Sequence, residues 1–130
     1  GFESPVNHME DVVVPRAEIP VLLRGVHELA ERYGVRILSF GHAGDGNVHI
    51  TALKDDLDDE TWETIVLEIT EEIYRLALSL DGTITGEHGI GAIRQRYLPL
   101  ALEEAQIEVM RRIRAAFDPN AILNPGKIFP

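Results

Sequence analysis

The sequence predicts an α+β fold in which helices cover one face of a small antiparallel sheet. Three segments carry apolar residues at helical spacing, and four short ones are rich in β-branched residues or alternate apolar with polar. Two of the short segments are joined through Asp45-Gly46, a favoured hairpin turn. The chain has 130 residues, 45% of them hydrophobic and 26% charged, which is enough apolar surface for one core and the composition of an ordinary folded domain.

Residues 1–8 show no periodicity, and His8-Met9 reads as the junction left by an expression vector, so the native segment is taken as residues 9–130. Glu10 to Pro15 is a β-branched run stopped by proline, a first strand. From Pro20 the set Leu22, Val26, Leu29, Ala30 and Tyr33 repeats with helical period, and Gly34 ends it. Arg36 to Gly41 and Val48 to Leu53 form the hairpin. Asp58, Asp59 and Glu60 supply a cap and negative charge for a long helix with the stripe Trp62, Ile65, Val66, Ile69, Ile73, Leu76, Ala77 and Leu80. Thr83-Ile84-Thr85 is a fourth short strand, followed by the glycine-rich turn Gly86 to Gly91. The order βαββαβ matches a ferredoxin-like sandwich. After Pro99 a third helix runs to about Phe117, its apolar side formed by Leu102, Val109, Met110, Ile113 and Phe117, and a loop tail follows.

A net charge of -10 and a pI near 4.8 work against broad electrostatic binding to nucleic acid or anionic lipid. The absence of cysteine excludes disulfides and thiolate sites, so any metal must use His, Asp or Glu. No apolar run approaches the ~20 residues that span a bilayer, and no signal pattern opens the chain, which reads as cytoplasmic.

Centring the turn on Asp45 and Gly46 sets His42 opposite His49, with Cβ atoms ~5 Å apart. Alternation then groups Leu38, Phe40, His42, His49, Thr51 and Leu53 on the face away from the helices. Thr83, Thr85 and Glu87 join them there. Two imidazoles and a carboxylate suit Zn²⁺ with an open position, and also Mn²⁺ or Fe²⁺. A hydrogen-bonded histidine pair closing the hairpin is the competing account. The glycine-rich turn matches neither the dinucleotide fingerprint nor the P-loop pattern. Arg94 and Arg96 after it read as surface arginines.

Gly41-His42-Ala43-Gly44-Asp45-Gly46-Asn47-Val48-His49, Gly86-Glu87-His88-Gly89-Ile90-Gly91 and Asn124-Pro125-Gly126-Lys127 occur in that order. Together they resemble the C-terminal domain of FAD-linked oxidases, the group that includes glycolate oxidase, D-lactate dehydrogenase and D-2-hydroxyglutarate dehydrogenase. The resemblance runs from Glu10 to Phe129. It implies that His42, His49 and Glu87 bind a divalent metal, which the ligand chemistry makes Zn²⁺ by preference, and that this metal contacts a small 2-hydroxyacid substrate. It implies further that His88 takes the hydroxyl proton and that Asn124 approaches the flavin ring. FAD itself would be held by an upstream FAD-binding domain, in a longer protein that is cytoplasmic or peripheral to the inner membrane. Thr51 stands where some hydroxyglutarate-type relatives carry an asparagine that touches substrate. The chain alone would be inactive and would expose a sheet face through which it could dimerise. A small metallohydrolase and a stand-alone ferredoxin-like module remain as alternatives.

Overall fold

The computed structural model describes residues 6–130, which divide into two compact units, the first ending at Glu87 and the second beginning at His88. The first unit is α+β. It contains β1 (Asn7–Val13), α1 (Ile19–Tyr33), β2 (Arg36–His42), β3 (Asn47–Leu53) and α2 (Asp59–Ser79). The three strands form one antiparallel sheet in the order β1-β3-β2. No helix among the described residues is long and apolar enough to cross a membrane.

Local chemistry sets the element ends. Pro20 sits in the first turn of α1, where its missing N–H costs nothing, and Gly34 closes that helix with a left-handed φ of 65°. Asp58 caps α2, its carboxylate accepting from the Thr61 backbone N–H at 2.9 Å. The apolar stripes of both helices then close over one face of the sheet: Leu22, Val26 and Leu29 from α1, with Ile69, Ile73 and Ala77 from α2, are buried. Val12, Val48, Ile50 and Ala52 are buried on the sheet. Each buried Val, Leu or Ile among them contributes ~1.5–3 kcal/mol by leaving water.

Four expectations need correction. The sheet takes in Asn7 and His8, which pair with Leu53 and Ala52, although residues 1–8 carry no strand signal and were expected to lie outside the fold; residues 1–5 of that segment lie outside the described residues. The hairpin connection is residues 43–46 rather than two residues, so His42 pairs with Asn47 and His49 with Phe40. Its closure is local: Asp45 and Gly46 both donate backbone N–H groups to the His42 carbonyl, and the Asp45 carboxylate accepts from the Asn47 N–H. Gly46, at φ 86°, is needed there because a Cβ would lie 2.1 Å from the Val14 carbonyl oxygen. Moving the register by an even number of positions leaves every side chain on its expected face.

The fourth strand is reduced to a single bridge, Val13 to Thr83. Beyond it the backbone of Gly86 and Glu87 turns its N–H groups toward a side chain of β1 instead of a strand partner. The third predicted helix is two, α3 (Leu98–Ala101) and α4 (Glu104–Phe117), both in the second unit. Leu102 breaks it with extended backbone, and Glu103 opens a new helix through a reciprocal capping box with Gln106. Ile107 is the buried residue of α4. Ile113 and Phe117 instead line an open apolar groove with Leu123 and Phe129 of the tail.

Candidate metal centre

The face of the sheet away from the helices is built by alternation. On β3 it presents Asn47, His49 and Thr51, all buried, and on β2 Phe40 and His42, both exposed. The imidazoles of His42 and His49 meet edge-on, with ring centroids 5.8 Å apart and planes at 83°. Phe40, the cross-strand partner of His49 on β2, holds its ring centroid 5.3 Å from the imidazole. On β1 the residue opposite His49 is Asp11.

Glu87 completes the group. Its Oε1 lies 3.1 Å from His49 Nε2. His42, His49 and Glu87 each offer one ligand atom, all within 4.8 Å of one another. Ligand atoms around a tetrahedral Zn²⁺ with ~2.1 Å bonds stand ~3.4 Å apart, so small side-chain rotations bring this set to bonding positions. His49 is buried, whereas His42 and Glu87 are exposed, leaving an open side for a further ligand. On the same face the Asn47 Oδ1 and Thr51 Oγ1 atoms are buried without a hydrogen-bond partner, which suits a polar occupant. The donor set therefore fits a borderline divalent cation with a free coordination position.

Sequence reasoning missed Asp11. Its side chain is fully buried, and Oδ2 accepts from the backbone N–H groups of Gly86 and Glu87, each at 2.9 Å, and from Thr85 Oγ1 at 3.1 Å. Consecutive N–H groups of a glycine-rich turn make an anion cradle, and here the anion is the chain's own carboxylate. Its Oδ1 lies 3.9 Å from His49 Nδ1. The signal was available: an acidic residue inside a β-branched strand, on the same face as His49 by alternation. Gly86 permits the approach, since a Cβ there would lie 2.8 Å from Asn47 Cγ and from Val13 Cγ2.

The other expected site residues belong to the second unit. His88 is exposed at its start. Asn124 is exposed in the tail with φ 47°, its carbonyl accepting from Arg114 at 2.8 Å. Arg94, read as a surface residue, is instead buried and donates to the Gly89 carbonyl at 3.2 Å.

A model of the family described as FAD linked oxidases, C-terminal domain, matches residues 2–128. Among curated proteins, the chain is 42% identical over 126 residues to glycolate oxidase subunit GlcD of Bacillus subtilis, covering 97% of this chain and 27% of the relative. It is 44% identical over 128 residues to a D-lactate dehydrogenase of Archaeoglobus fulgidus, covering 98% and 28%. Against a D-2-hydroxyglutarate dehydrogenase of Stutzerimonas stutzeri the identity is 34% over 125 residues, covering 94% and 27%. The chain thus spans about a quarter of the length of the curated relatives it matches.

Proposed function

The chain belongs to the family of FAD-linked oxidase C-terminal domains, and from that premise we propose that it is the substrate-side part of a flavoprotein that oxidises a small 2-hydroxyacid at its hydroxyl-bearing carbon. The observation that carries this reading is the convergence of His42, His49 and Glu87 within 4.8 Å on an open face. Those three residues would hold a divalent cation, Zn²⁺ by the chemistry of the set, and a cation there supplies Lewis acidity that lowers the pKa of a substrate hydroxyl. FAD, held by an upstream FAD-binding domain outside this chain, supplies a hydride acceptor when bound.

The chain's own residues then have separable tasks. His42, His49 and Glu87 fix where the hydroxyl and carboxylate oxygens of the substrate sit. His88, next in sequence to a ligand, accepts the hydroxyl proton as the C–H bond gives up its electron pair, so a 2-hydroxyacid leaves as a 2-oxoacid. Asn124 offers a side-chain amide toward the flavin. Among the named relatives the glycolate and D-lactate enzymes are the nearer guides, because Thr51 offers a short hydroxyl where a diacid-specific site calls for a longer amide.

The test has two arms. Elemental analysis and zinc titration of the purified chain are expected to show one metal per molecule, lost in His42→Ala, His49→Ala and Glu87→Ala. The flavoprotein containing this domain is expected to oxidise glycolate or D-lactate, with His88→Ala lowering kcat about 10²–10⁴-fold, the usual contribution of a general base. A second reading has its own support, since 3.1 Å between His49 Nε2 and Glu87 Oε1 is also a hydrogen-bond distance. A chain that binds no metal under the same titration would favour it and end the first.

A further inference from the structure

We propose that Asp11 is a positioning residue of the metal centre: one carboxylate holds the Glu87 backbone in place with Oδ2 and orients the His49 imidazole with Oδ1. This role rests on reading His42, His49 and Glu87 as metal ligands and adds the group that sets their geometry.

His49 and Glu87 are 38 positions apart in sequence, and the strand that should carry Glu87 into the sheet has shrunk to the bridge at Thr83. Sheet hydrogen bonding therefore does not fix Glu87. Asp11 replaces it, with three hydrogen bonds from Thr85, Gly86 and Glu87 converging on one oxygen. Charge-assisted bonds of this kind are roughly twice as strong as neutral ones, and burial keeps water from competing for them.

The other oxygen acts on His49. Asp11 and His49 are direct cross-strand partners, and Oδ1 lies 3.9 Å from Nδ1. That is an electrostatic approach, longer than a hydrogen bond, yet it favours a proton on Nδ1 over a lone pair facing a carboxylate. With Nδ1 protonated, the lone pair is on Nε2, the nitrogen on the Glu87 side, where a bound cation would take it in place of a proton shared with that carboxylate. A carboxylate or carbonyl behind a ligating imidazole commonly has this effect, and its loss typically costs about 10–100-fold in metal affinity.

Asp11→Asn separates the two tasks. Its amide oxygen can still accept from the turn, while its NH₂ group faces Nδ1 and favours the tautomer whose Nε2 carries the proton and cannot ligate. Zinc affinity of the 130-residue chain, measured by titration calorimetry, is expected to fall about 10–100-fold, while far-UV circular dichroism of the metal-free variant matches the parent. The Co²⁺-loaded variant should also lose the intense visible bands of a tetrahedral site. If parent and variant bind zinc within twofold of one another, Asp11 has no positioning role and the metal reading stands. If the parent binds no zinc, the metal reading fails and this role with it. Should the variant not fold, nuclear magnetic resonance of the zinc-loaded parent decides. A His49 ring N–H shifted downfield and slow to exchange supports the proposal, and its absence overturns it.

Discussion

Glu10 is a carboxylate inside the core. It is 2% exposed on the helix side of β1, where it accepts a hydrogen bond from the phenol of Tyr74, itself fully buried, and lies 2.5 Å from His8 Nε2. Burying such a group is costly unless it is hydrogen-bonded, so the phenol does more than fill space. Tyr74→Phe keeps the ring and removes the donor. It is expected to lower stability by about 1–3 kcal/mol in urea unfolding, and an unchanged midpoint would assign the oxygen no role. Residue-scale facts divided sharply by whether alternation alone could carry them. That His42 and His49 share a face followed from counting along strands. That Asp11 lies under Glu87 did not, because the turn at Gly86 departs from any regular period. The pairing of Tyr74 with Glu10 joins positions 64 apart in sequence, and no local rule connects them.

At the scale of elements, capping chemistry gives a dependence on pH. The Thr61 backbone N–H, and then its hydroxyl, donate to the Asp58 carboxylate and hold it below its ordinary value of 3.8. A depressed folded-state pKa contributes stability that is complete above the unfolded value and disappears as pH falls through the folded one. The window therefore opens near 3.8 and extends below it. Asp58→Ala is expected to lower the thermal midpoint at neutral pH, with the gap from the parent narrowing as the sample is acidified below pH ~3.8. A gap that stays constant would show that the charged cap is not the cause. Helices α1 and α2 were legible because caps, proline, glycine and a single apolar stripe agreed. The third was misjudged because its apolar run continues through Leu102 while the backbone does not. The Glu103 and Gln106 spacing was the missed sign, faint because Ser or Thr usually holds the first of those positions. The hairpin was placed on the correct faces in the wrong register, since Asp45-Gly46 fits both a two-residue turn and the end of a longer one.

For the molecule as a whole, the two units predict an uneven response to metal. The three proposed ligands all lie at or before Glu87, in the first unit. A ligand that binds only the native state stabilises it by about 2.7 kcal/mol at a hundredfold excess over its Kd. Saturating zinc is therefore expected to slow amide hydrogen exchange in β1, β3 and residues 85–87, with little change from 95 to 117. Equal slowing throughout would mean that the units open together. The α+β class and the layer of helices over one sheet face were legible from periodicity. The division at Glu87 was not, because the composition does not change there. Among the described residues β2 pairs as a strand with β3 alone, and it borders the sheet with Leu38 and Phe40 exposed. Such a border invites strand-on-strand growth into aggregates, which natural sheets block with lysine, proline or a bulge. Ser39 lies at the middle of this strand and is exposed, so a lysine there would act as a gatekeeper for concentrated samples while leaving the histidine face untouched.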